Sequence, residues 1–234
     1  MIEIKNISKS YDNKEVINIE HLSISQGETV GLVGNNGAGK TTLLSLILDL
    51  IKADTGEILS KGENVSTTEE WKMYTSAYLD DSFLIGFLKP DEYFEFLGKL
   101  YDLNPADVDR FTEQFESVFN GEVRGQKKFI RDLSMGNRKK TGLVGSLIGN
   151  PEVLLWDEPF SNLDPSTQMR IRTIIENQKE AGRTSIISSH DLHHIYEVCE
   201  RILILDQGKL VKDILRKETS REELFGYFGV GVDS

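Results

Sequence analysis

The sequence has 234 residues, 38% of them hydrophobic, enough to bury the core of one domain that can carry a subdomain. A net charge of −11 argues against a nucleic-acid groove, which needs clustered Lys and Arg, and against direct adhesion to anionic lipid. The single cysteine, Cys199, excludes an internal disulfide and fits a reducing compartment. In chain order, Met1-Ile2-Glu3-Ile4-Lys5 alternates as a strand does and lacks the apolar stretch of a signal peptide. The most apolar run, Leu43 to Ile51, is interrupted by Ser45 and Asp49 and is too short to span a bilayer. A soluble chain is expected, with any membrane contact made through a protein partner. Strands are predicted over Ile2 to Ile7, Glu28 to Val33, Val153 to Trp156, Thr184 to Ile187 and Ile202 to Leu205. A last strand through Leu210 and Val211 follows a Gln207-Gly208 turn. The runs ending at Val33, Trp156 and Ile187 are apolar on successive residues, as in strands covered on both faces. Helices over Lys40 to Leu50, Thr167 to Glu180 and Leu192 to Glu200 separate them, which predicts an α/β domain with a largely parallel sheet.

The stretch from about 80 to 150 differs. Pro90 opens an amphipathic helix carrying Tyr93, Phe94, Leu97, Leu100 and Tyr101. Asn104-Pro105 supplies a cap and first-turn proline for another, with Val108, Phe111, Phe115 and Val118 at spacings of three and four. A helical subdomain inserted into the α/β core is expected, with the aromatic stripe as its packing.

Gly34-Asn35-Asn36-Gly37-Ala38-Gly39-Lys40-Thr41 matches the P-loop pattern between a predicted strand and helix. Glycines let successive backbone N–H groups face one concavity around a β-phosphate, and the helix beginning near Lys40 adds its positive end. The Lys40 ammonium suits the β- and γ-phosphates and the Thr41 hydroxyl suits Mg²⁺, while Thr42 extends the helix. The loop alone specifies a nucleoside triphosphate. Downstream, Val153-Leu154-Leu155-Trp156 is followed by Asp157-Glu158-Pro159, which puts two carboxylates at the carboxyl edge of a buried strand, where open α/β folds bind ligands. Asp157 is suited to hold Mg²⁺ through its water shell, and Glu158 to orient the attacking water and accept its proton.

Further motifs then carry a resemblance. Leu133-Ser134-Met135-Gly136-Asn137 resembles the signature motif of ABC ATPases, Ser161-Asn162-Leu163-Asp164 their D-loop, and Ser189-His190-Asp191 their switch histidine. Tyr11 sits where the family stacks an aromatic ring on adenine. The resemblance covers essentially all of 1–234 as a single domain. It implies a P-loop NTPase core with a mostly parallel sheet, an N-terminal antiparallel β-subdomain and an inserted helical subdomain carrying the signature. ATP and Mg²⁺ are the implied ligands, with His190 reaching the γ-phosphate and Glu158. Two such domains would join head to tail, Ser134 and Gly136 of each meeting the nucleotide of the other. The implied partners are a second ATPase subunit and a membrane permease, at the cytoplasmic face of the membrane.

The chain also departs from the family. Met135 and Asn137 replace the usual residues, as similar substitutions do in subunits of drug and polysaccharide exporters, which favours export. A glutamine usual at the start of the helical subdomain is absent from Tyr78-Leu79-Asp80-Asp81-Ser82; Asp81, or Asp80 across a one-residue gap, takes its place toward Mg²⁺. The apolar run Phe83-Leu84-Ile85-Gly86-Phe87-Leu88 cannot all face one core, so Phe83 and Phe87 are expected either to line a cleft for a permease helix or to pack between subdomains. Rival readings are a metal held by His190, His193 and His194, a soluble ABC ATPase acting on ribosomes or DNA, and a P-loop kinase; the last gives no role to 133–137.

Overall fold

The alternating N-terminus folds back on itself. In the computed structural model, which describes residues 1–226, β1 (Ile2–Tyr11) runs antiparallel to β2 (Lys14–Ile24). Asp12 and Asn13 make the turn with positive φ, a two-residue hairpin loop whose twist matches the strands. The end of the span 1–234 lies outside the described residues. β3 (Thr29–Val33) is buried at every position and runs into the glycine-rich loop and α1 (Lys40–Ile47). That helix stops short of the expected Leu50, because Asp49 turns left-handed at φ 48°. β4 (Thr55–Ser60) then pairs antiparallel with β1, and the short β5 (Glu63–Asn64) completes a sheet of order β2-β1-β4-β5. β2 alternates over Ile17-Asn18-Ile19 and again over Leu22-Ser23-Ile24, whereas β4 and β5 carry no clean alternation; the buried apolar residues of β2 and β4 join Ile2, Ile4 and Ile7 in one core.

β6 (Thr75–Tyr78) leads into the helical stretch: α2 (Pro90–Leu100), α3 (Pro105–Glu113), α4 (Glu116–Phe119) and α5 (Met135–Gly145). Asn104 caps α3, accepting from the Asp107 N–H at 3.0 Å. The predicted second helix is two, α3 and α4, with Phe111 and Phe115 in ring contact at 5.2 Å across the break. Tyr93, Phe94, Val108, Phe119 and Val144 form a separate apolar cluster for these helices, whereas Leu100, expected inside, is exposed.

The chain then returns to the core through β7 (Val153–Trp156), α6 (Pro165–Glu180), β8 (Thr184–Ser189), α7 (Leu192–Val198), β9 (Arg201–Asp206), β10 (Lys209–Leu215) and α8 (Arg221–Gly226). The second sheet has the order β10-β9-β3-β8-β7-β6, parallel except for β10, which folds back on β9. Alternate residues of one strand feed opposite cores: Val153 and Leu155 join the cluster with α1, Leu154 and Trp156 the cluster with α6 and α7. Burial on both faces explains the unbroken apolar runs. The fold is the expected P-loop α/β architecture. Because β3, β7 and β8 are parallel neighbours or next neighbours, the loops after all three open on one edge. Among the described residues no helix is long and apolar enough to cross a membrane.

Candidate active site

The glycine-rich loop is shaped by close packing on one side and openness on the other. A Cβ at Gly39, whose φ is +108°, would lie 2.7 Å from the Val16 carbonyl, and one at Gly34 would lie 2.3 Å from the Leu205 carbonyl. Only glycine tolerates both, so β2 and β9 clamp the loop from behind. Asn35, Asn36 and Gly37 remain exposed in front, whereas Ala38 and Lys40 are buried. The Lys40 ammonium donates to the Gly34 carbonyl at 2.6 Å and the Asn35 carbonyl at 3.4 Å, and lies 3.6 Å from Glu158 Oε1. Thr42 lies half-buried as the third residue of α1. Tyr11 ends β1 about half exposed, with Lys9 Nζ 5.3 Å from its ring centre, leaving an aromatic face at the tip of that hairpin.

Asp157 and Glu158 are neighbours with opposite surroundings. Asp157 is buried, and its two oxygens accept from the Thr41 and Ser188 hydroxyls. Glu158 has φ 48°, a left-handed conformation that costs a side-chain-bearing residue about 1–3 kcal/mol. Its N–H donates to Ser188 Oγ at 3.0 Å, and its Oε2 lies 2.8 Å from His190 Nδ1. The carboxylate is thus held between Lys40 and His190 at the mouth of the loop. The Thr41 hydroxyl beside a buried carboxylate is a set of hard oxygen donors that fits Mg²⁺, and the open loop with its ammonium fits a triphosphate.

Asp81 lines the same cleft as Asp157 and Glu158, but its carboxylate is already engaged. Tyr78 donates its hydroxyl at 2.6 Å and Arg138 of α5 its Nε at 2.7 Å. Burial, with that carboxylate beside it, pushes the Tyr78 hydroxyl well above the usual phenol range. Asp80 caps the following turn instead, accepting from the Ser82 N–H at 2.6 Å. Ser134 caps α5 by accepting from the Asn137 N–H at 3.2 Å, and a Cβ at Gly136 would come within 3.2 Å of the Asn162 carbonyl. Asp164 caps α6, bonded by the Thr167 N–H at 3.0 Å and by the Ser166 and Thr167 hydroxyls. Those hydrogen bonds hold its carboxyl well below the usual range.

The three histidines do not converge. His193 meets Arg221 and the Phe225 ring, while His194 meets Arg172 and stacks on Phe160 at 4.4 Å. Among the described residues no three His, Cys, Asp or Glu side chains gather as a metal group. Sequence reasoning missed Ser188, Arg138 and Lys139, all of which touch the acidic pair or Asp81. Ser188 left a signal, a polar residue closing an apolar strand at the same edge as the P-loop.

Comparison with known proteins agrees with this geometry. The family model described as ABC transporter matches residues 17–161. An uncharacterized ABC transporter ATP-binding protein of Nostoc sp. is 37% identical over 85% of this chain and 60% of its own length. The chain therefore spans less than two thirds of that relative. Another, of Methanocaldococcus jannaschii, is 33% identical over 92% of this chain and 80% of its own. A solved structure titled as the ATP binding subunit of an ABC transporter superposes with a TM-score of 0.83 at 25% identity, covering 100% of this chain and 95% of that one. The chain belongs to the ABC transporter family.

Proposed function

We propose that this chain binds and hydrolyses ATP as the motor subunit of an ABC transporter, cytoplasmic and peripheral to the membrane, driving export by a separate permease. One observation carries the chemistry: the Glu158 carboxylate stands between Lys40 and His190 at the mouth of the P-loop, next to the Thr41–Asp157 pair. Lys40, now resting on loop carbonyls, turns to the β- and γ-phosphates, and the loop from Gly34 through Gly39, open at Asn35, Asn36 and Gly37, cradles them with backbone N–H groups. Tyr11 offers its ring to the adenine. Thr41 and Asp157 hold Mg²⁺, which supplies charge neutralisation at the phosphates. Glu158 orients water and takes its proton, while His190 holds the carboxylate and reaches toward the γ-phosphate.

The span 1–234 acts as one cassette whose inserted stretch, about 80–150, presents Ser134 and Gly136 to the nucleotide of a second subunit. Closure of that pair, lost when the γ-phosphate leaves, is the stroke delivered to the permease. Met135, Asn137 and the acidic residue in place of the family glutamine support the outward direction. Asp81 acts through Arg138 on the signature helix, and its bonds to Arg138 and Tyr78 leave Thr41 and Asp157 as the Mg²⁺ residues. Phe83, 55% exposed and lining an apolar cleft with Leu50, Trp71 and Leu79, supports docking of a short permease helix there; Phe87 is exposed too but lies outside that lining.

The test is turnover with MgATP. Lys40→Ala should lose triphosphate binding, and Glu158→Gln should keep binding while hydrolysis falls about a hundredfold, within the range for a positioned base. Near-normal turnover in Glu158→Gln removes Glu158 from that role.

A further inference from the structure

Two adjacent lysines on α5 are used in different ways. Lys140 is buried and pairs with the Glu122 carboxylate at 3.1 Å, charge against charge. Lys139 is only 6% exposed, and its ammonium reaches instead to a main-chain atom, donating to the Glu158 carbonyl at 2.7 Å and also to the Ser161 hydroxyl. An ammonium taken out of water is unfavourable unless its donors are used, and a charged donor makes the stronger hydrogen bond. Here that bond falls on the residue whose backbone is left-handed at φ 48°.

We propose that Lys139 is a positioning residue for Glu158, fixing the peptide that follows it so that the carboxylate stays aimed at the P-loop mouth. The inference rests on the reading of Glu158 as proton acceptor. Both peptides flanking the Glu158 Cα are pinned: the N–H by Ser188 at 3.0 Å, and the carbonyl by Lys139, by Ser161 Oγ at 3.0 Å and by the Ser161 N–H at 3.3 Å. With Cα fixed from both sides, the direction of the side chain is set before substrate arrives. Small misplacement of a reacting group is expensive in rate, so the lysine belongs to catalysis without touching the substrate. The same ammonium ties α5, whose first turn carries the signature residues, to the base. The remaining groups facing it are the carboxylates of Asp81, Asp157 and Glu158 and the Tyr78 ring.

The experiment measures steady-state hydrolysis and equilibrium MgATP affinity on the whole chain. Lys139→Met should lower kcat about tenfold or more, with KM and affinity within about twofold of the parent. Lys139→Gln, which keeps a donor, should restore most of that loss. In a Glu158→Gln background, Lys139→Met should cause no further loss, because the lysine acts only through the glutamate. Parent-like kcat in Lys139→Met, an equal loss of affinity, or an additive loss in the double variant would overturn the proposal. Should Lys139→Met not fold, Ser161→Ala removes the other side-chain donor on the same carbonyl. A severalfold lower kcat at constant KM supports the inference there, and an unchanged kcat refutes it. An active Glu158→Gln would instead remove the base reading itself, whereas an inactive Glu158→Gln beside a fully active Lys139→Met removes only the lysine.

Discussion

Asp164 illustrates how a side chain can be bound up in its own backbone. Its carboxylate accepts from two hydroxyls and one N–H at the start of α6, which holds its pKa down. A carboxyl whose folded pKa is lowered contributes stability that is fully present above its unfolded value of about 3.9 and is lost as pH falls toward the folded one. The melting temperature of the parent should therefore exceed that of Asp164→Asn by a constant margin from pH 7 to pH 5, and the margin should shrink below about pH 4. A margin unchanged down to pH 3 would mean that the cap does not depend on charge. The P-loop and the acidic pair were readable in the sequence because their chemistry depends on fixed local spacing. Ser188, Lys139 and Arg138 were not, since their partners lie 31, 19 and 57 positions away. Those partners are set by strand order and by the docking of α5, neither of which a local window contains.

At the scale of elements, the parallel strands β3, β7, β8 and β9 were legible as apolar runs, while β2, β4, β5 and the parallel edge strand β6 were not. β2 alternates only on either side of the Glu20-His21 pair, and the other three are shorter. Their pairing comes from strands distant in sequence or already placed: β1 for β2 and β4, β4 for β5, and β7 for β6. Position in the fold also settles the apolar run after Asp81. Leu84, Ile85 and Leu88 lean on the helical cluster, while Phe83 and Phe87 stay more than half exposed. Packing between subdomains is thereby set aside for both rings. A carboxylate at Phe83 would reach water, so Phe83→Glu should melt close to the parent, as surface changes do within about 0.5 kcal/mol, and keep basal hydrolysis. The same variant should lose its permease in a pull-down from membranes. A sharply lowered melting temperature would show Phe83 to be structural and sink the docking assignment.

Taken whole, the molecule is acidic at −11, and two copies repel one another unless something links them. The chain alone should therefore run as a monomer, and Glu158→Gln with MgATP should shift toward a two-fold dimer in light scattering. Adding Ser134→Arg should abolish the shift while each monomer still binds ATP; a dimer independent of nucleotide would count against the split site. The cap at Ser134 bears on how readily such a pair forms. A hydroxyl has lone pairs to accept with and one proton to give, and here the helix uses a lone pair, for the Asn137 N–H. The proton is what remains for an oxygen arriving from outside the chain. An incoming phosphate can take it without unwinding the first turn of α5, and a departing one leaves that turn as it was.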